Sequence, residues 1–119
     1  MKVTICGSLR FEAEIQAWHE ALGLAGHIPY CMVVMPSQKE GNKDWYTEEQ
    51  KATLDLVHLA KIEESFAILV VDTHGYIGES TAREITWAKM RGKLVYLASK
   101  QPWIGTLVHC ELSARGVTL

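Results

Sequence analysis

Four short apolar runs, separated by segments long enough to hold a helix, constrain this chain more than any other feature. Residues 3–6 are a β-branched run ending in Gly7-Ser8, the pattern of a buried strand entering a tight turn. Phe11, Ile15, Trp18 and Leu22 then recur at helical spacing, with Gly23 and Gly26 as stop signals. Residues 28–34 read as a second strand, with Pro29 near its start, where a missing N–H is tolerated. Thr47-Glu48-Glu49-Gln50 matches a helix-opening capping box and predicts a helix to about Glu64. Residues 66–71 are continuously apolar, as in a strand buried on both faces of a parallel sheet. Gly75 and Gly78 mark a turn, Ser80 or Thr81 supplies a cap, and a third helix is predicted through about Arg91. Gly92-Lys93 leads into the last strand, 94–98; beyond it, 104–112 reads as helix and 117–119 as an edge strand.

The order β-α-β-α-β-α-β implies an α/β fold, a doubly wound parallel sheet in three layers with helices on both faces. At 119 residues, with no linker or repeat, a single domain over 1–119 is expected. The net charge of −2 supplies no basic field for a nucleic-acid backbone, although one small phosphate needs only local donors. Cys6, Cys31 and Cys110 are odd in number and lack a C-x-x-C pair, which suits reduced thiols in the cytoplasm. The five histidines lack metal-ligand spacing, so neither a metal nor another cofactor is implied. The N-terminus opens as a strand without the pattern of a signal peptide. The apolar run 66–71 falls far short of the roughly 20 residues of a membrane span, and no membrane partner is expected.

Ligands of such sheets bind beyond the carboxyl ends of the strands, which here means after Cys6, Val34, Val71 and Ala98. The loop 35–44 is long for so small a domain and reads as a lid or binding loop. In the first turn, Gly7, Ser8, Leu9 and Arg10 combine a close-approach glycine, a hydroxyl, free backbone N–H groups and a cation. That set suits an anion such as phosphate; equally, Ser8 caps the helix and Arg10 is solvated. The segment from Asp72 to Glu84 brings glycines including Gly78, the hydroxyls of Ser80 and Thr81, and carboxylates to the same edge. Glu84 there is either the capping-box partner of Thr81 or a nucleophile or base facing the crevice. Ala82, Ile85 and Ala88 are expected to pack on the sheet, leaving Glu84 at the margin of that face. Asp55, His58 and Ile62 share one side of the second helix; His58 either holds a hydroxyl, orients Glu84, or is a satisfied semi-buried residue. Trp45 and Tyr46 stack on a base or staple the Thr47 cap.

Taken together, Cys6-Gly7-Ser8-Leu9-Arg10 and the segment Gly75-Tyr76-Ile77-Gly78-Glu79-Ser80-Thr81-Ala82-Arg83-Glu84 resemble the nucleoside 2-deoxyribosyltransferase superfamily. Gly92-Lys93-Leu94-Val95 extends the likeness, which covers about residues 3–98. The first motif is most similar to the branch of 2′-deoxynucleoside 5′-monophosphate N-glycosidases. The resemblance implies a flavodoxin-like, Rossmann-like fold in homodimers or larger assemblies. It also implies cleavage or transfer of the N-glycosidic bond of a nucleoside or nucleotide, without a cofactor. Carried over, Gly7, Ser8 and Arg10 hold a phosphate with help from Ser80 and Thr81, and Glu84 forms a covalent glycosyl-enzyme, a double displacement. Asp55 and His58 join Glu84 as the catalytic set, and Leu9, Asp72 and Gly78 complete the substrate-binding residues. The chain departs from the family at Thr4, where a Tyr usually touches the nucleophile, and at His58, where an Asp usually holds the sugar. Ser80 and Ala82 also stand where glycines are usual. These departures leave a second function class in view, a nucleotide-binding or sensing module without turnover.

Overall fold

The computed structural model describes residues 1–32 and 46–101. Four strands, β1 (Lys2–Gly7), β2 (Ile28–Cys31), β3 (Ala67–Val71) and β4 (Leu94–Leu97), form one sheet in the order β2-β1-β3-β4. Every pairing is parallel, with Thr4 opposite Ile68 and Ile68 opposite Val95. Three helices alternate with them: α1 (Glu12–Leu24), α2 (Glu48–Glu64) and α3 (Glu79–Met90). The expected alternation and parallel sheet are therefore present. The expected lid 35–44, Trp45, the end of the second strand at Val34, and the elements at 104–112 and 117–119 lie outside the described residues.

Side-chain alternation along β1 and β3 divides the core into two layers. Val3, Ile5, Leu69 and Val71 point to one face and meet Phe11, Ile15, Trp18 and Leu22, the stripe that the helical spacing predicts. Cys6, Ile68 and Val70 point to the other face and meet Ile62 of α2 and Ala88 of α3. All five residues of β3 are buried, which is why this segment reads as an unbroken apolar run. Phe66, expected in that strand, stays outside it, 47% exposed.

Local chemistry sets the helix ends. Thr47 Oγ1 accepts from Gln50 N at 3.1 Å and Gln50 Oε1 accepts from Thr47 N at 2.9 Å, closing the predicted capping box. The cap of α3 differs from expectation. Gly78 is the N-cap, its carbonyl accepting from Ala82 N at 2.9 Å, and no side chain caps this end. Helical turns thus begin before Ser80 and Thr81. Gly78 moves from turn residue to cap, and Thr81 turns into the protein, 4% exposed.

Between β1 and β3 the strand order reverses direction, and in sheets of this kind such a switch point opens the ligand crevice. At that end Gly7 remains in β1, paired with Val71. A Cβ on Gly7 would lie 3.2 Å from both the Cβ and the carbonyl oxygen of Val71, so a side chain there requires Val71 to give by a few tenths of an ångström. Gly7 therefore serves strand approach, where a sharp turn was expected. Among the described residues no helix is long and apolar enough to cross a membrane.

Candidate active site

The stripe of α3 that faces the sheet is Thr81, Glu84 and Ala88, at i, i+3 and i+7. Ala82 is exposed and Ile85 half-buried, so Glu84 occupies the middle of the packed face and not its margin. It is 6% exposed. An unpartnered carboxylate at that depth would cost several kcal/mol. His58, buried on α2, offsets this cost, with Nε2 lying 3.2 Å from Glu84 Oε1. The capping-box reading of Glu84 is overturned, since its partner lies on another helix and Gly78 heads α3. Glu84 Oε2 and His58 Nδ1 are buried with no hydrogen-bond partner among the described residues.

A third side chain completes the cluster. Cys6 Sγ lies 3.8 Å from His58 Nε2. Burial pushes the Cys6 thiol well above its ordinary range, and the Glu84 carboxylate, through its charge and as an acceptor, pushes the same way. The thiol is therefore a proton-bearing neighbour of the carboxylate rather than a thiolate nucleophile. Sequence reasoning missed Cys6 because counting back from Gly7 pointed to Thr4. Thr4 instead lies 2.6 Å from Ser65 Oγ, which donates to Lys61 O at 2.7 Å, so the Thr4 hydroxyl is the donor to Ser65. Period-two alternation along β1 was the available signal, because Thr4 and Cys6 share the face away from α1.

The structure brings Glu84 and His58 together and leaves Asp55 apart. Asp55, one turn before His58, is exposed and does not join the buried cluster. In the turn after β1, Ser8 Oγ accepts from Arg10 N at 3.3 Å and caps a short 3₁₀ turn over Leu9–Phe11. Leu9 is half-buried there. The Arg10 guanidinium is not simply solvated; it lies over the Tyr76 ring, 4.1 Å from its centroid. Phe11 meets the same ring edge-on at 6.0 Å. Tyr76 therefore joins the turns after β1 and β3, a role that no local pattern announced. Between Asp72 and Tyr76 the chain takes two successive left-handed residues, His74 at φ 57° and Gly75 at φ 73°. Ser80 is exposed and accepts from Arg83 Nη2 at 3.2 Å.

Asp72, expected to line the substrate site, is buried and has both oxygens engaged. Oδ1 accepts from Ser99 N at 2.9 Å and Oδ2 from Ser99 Oγ at 2.6 Å. The carboxylate thus clips the end of β3 to the 3₁₀ turn after β4. Asp72→Ala is expected to cost about 1–3 kcal/mol, the scale for charged hydrogen bonds of this kind. Chemical denaturation read by circular dichroism would measure it, and an unchanged midpoint would remove the clip from the account.

Neither a protein-family model nor a curated protein matches this sequence. Among solved structures, a 2-deoxyribosyltransferase of Bacillus psychrosaccharolyticus aligns at a TM-score of 0.60 and 16% identity, over 82% of this chain and 71% of that one. A CMP N-glycosidase of Clostridium botulinum aligns at a TM-score of 0.54 and 19% identity, over 82% and 70%. One is a deoxyribosyltransferase and the other an N-glycosidase of a nucleoside monophosphate. At these identities the likeness is one of architecture, and this chain has the α/β fold of both enzymes.

Proposed function

We propose that this chain cleaves or transfers the N-glycosidic bond of a deoxynucleoside or its 5′-monophosphate, with Glu84 as nucleophile. The observation that carries the reading is a buried carboxylate with one oxygen held and the other unengaged. His58 Nε2 lies against Oε1, while Oε2 has no partner among the described residues. A carboxylate oriented in this way suits attack on a sugar carbon once the crevice opens to Oε2, which is closed to solvent in this structure.

In this mechanism Glu84 Oε2 approaches C1′ as the bond to the base lengthens and positive charge develops on the ring oxygen and C1′. The bonding electrons leave with the base, which takes up a proton, and a glycosyl ester forms on Glu84. Water or a second base then attacks C1′ from the opposite side and frees the carboxylate. His58 fixes the carboxylate plane, and the Cys6 thiol donates to the carboxylate in the resting site. Ser8 and Arg10 at the switch-point turn take the 5′-phosphate, for which Arg10 must leave the Tyr76 ring. A cytoplasmic location and a homodimer or larger assembly belong to the same reading.

Incubation with a panel of deoxynucleosides and deoxynucleoside monophosphates, followed by chromatography for free base, tests the proposal. Release or exchange of base from at least one member is expected. A rise in melting temperature with some member, and base release from none, would favour the binding or sensing function instead.

A further inference from the structure

Cys6, His58 and Glu84 come from β1, α2 and α3, and each is buried. Their donor atoms, one thiol sulfur, one imidazole nitrogen and one carboxylate oxygen, all lie within 4.8 Å of one another. A tetrahedral zinc ion with ordinary bond lengths holds neighbouring donors about 3.3–3.6 Å apart. The His58-to-Glu84 separation of 3.2 Å and the Cys6-to-His58 separation of 3.8 Å fall close to those edges. The third pair, Cys6 and Glu84, lies within 4.8 Å, so these two side chains close toward the same edge length to seat an ion between the three donors. A second observation concerns satisfaction rather than spacing. Glu84 Oε2 is buried and lacks a partner among the described residues, so the carboxylate keeps an unused donor for an ion, while His58 Nδ1, the ring nitrogen that does not ligate, is unpaired as well.

We propose that Cys6 Sγ, His58 Nε2 and one oxygen of Glu84 form a zinc site, and that filling it silences the Glu84 carboxylate. On binding, the Cys6 thiol releases its proton to solvent and donates as thiolate, Glu84 donates as carboxylate, and neutral His58, its proton transferred from Nε2 to Nδ1, donates the Nε2 lone pair. The two negative ligands balance the two positive charges of the ion, leaving the buried site neutral. No oxidation or reduction is involved. The fourth position is left for water, as in open zinc sites with three protein ligands. A soft sulfur donor beside imidazole favours zinc or cobalt over magnesium, which prefers six oxygen ligands. The spacing 6, 58, 84 in the chain matches no zinc signature, because the fold and not a local loop assembles the three donors.

Silencing rests on Glu84 being the nucleophile, but binding does not, so the test reads binding first. Chelator-treated protein is titrated with cobalt(II), and a thiolate-to-cobalt charge-transfer band in the near ultraviolet is expected at one ion per chain. Zinc should displace it, and magnesium should not produce it. Cys6→Ser should abolish the band and weaken zinc binding by about 100-fold or more, beyond what loss of a residue behind a ligand costs. Cys31→Ser should leave both unchanged. His58→Gln, which keeps the thiol, should weaken binding to a similar degree, and circular dichroism confirms that each variant is folded. Absence of the band at saturating cobalt overturns the site, as does a band that survives in folded Cys6→Ser. In the base-release assay, one equivalent of zinc should stop turnover and a chelator should restore it; full turnover with zinc bound overturns the silencing. A normal cobalt band with no base release from any nucleoside would sink the glycosidic reading and leave the metal site standing.

Discussion

Glu84→Gln is expected to lower base release by about 10³-fold or more while the protein remains folded, the scale on which loss of a reacting group is felt. Gln has nearly the same shape, and its amide oxygen can still accept from His58 Nε2 across the 3.2 Å gap. What disappears is the negative charge that stabilises a developing oxocarbenium ion and forms the ester. Removing a buried charge also removes its desolvation cost, so the melting temperature should hold or rise slightly. Glu84→Ala would stop the same reaction but lower stability as well, because His58 would face an empty space. Chromatographic assay of free base, paired with thermal melts, separates the two effects. Base release by Glu84→Gln at the wild-type rate would remove Glu84 from the chemistry.

Leu69→Ala carries the largest expected effect on stability. Leu69 is fully buried in the middle of β3, in register with Ile5 on one side and Tyr96 on the other. It packs in the α1-facing layer with Ile5, Trp18 and Leu22. Strands on both sides hold its backbone, so the space left by truncation cannot readily collapse. A loss of about 3–4 kcal/mol is expected. Small domains have a margin of roughly 5–15 kcal/mol, and for one of this size the loss corresponds to a fall of roughly 10–20 °C in melting temperature. Leu56 on α2, 66% exposed, is the control, and Leu56→Ala should change stability by no more than about 0.5 kcal/mol. Similar melting temperatures for the two variants would show that β3 is not the centre of the fold.

The features legible in the sequence were those written in short stretches. The Thr47-to-Gln50 capping box, the helical recurrence of Ile15, Trp18 and Leu22, and the unbroken apolar β3 each depend on residues a few positions apart. The structure reproduces them. The ends of elements were less legible where backbone alone sets them. Gly78 caps α3 without a side-chain bond, so the hydroxyls of Ser80 and Thr81 drew the predicted cap two or three residues too late. In the candidate site, Glu84 and His58 were legible as residues and their pairing as one of three readings of His58; the sequence could not choose among them, because 26 positions separate the two and only packing of α3 against α2 joins them. The same distance effect hid Cys6, 52 positions from His58, and the Asp72–Ser99 clip, 27 positions apart. A polar residue in the middle of a helix's packed stripe breaks the local rule of burial, and such breaks mark functional positions in many folds.

The tight fit of Gly7 against Val71 has a consequence for how this scaffold could acquire new specificities. Neighbouring parallel strands stand only about 4.8 Å apart, so the roots of the two turns beside the crevice are too close for any molecule to wedge between them. A ligand must sit above that seam. Diversity can enter from position 8 onward on one side and position 72 onward on the other, while the seam admits a side chain at position 7 only where Val71 yields by a few tenths of an ångström.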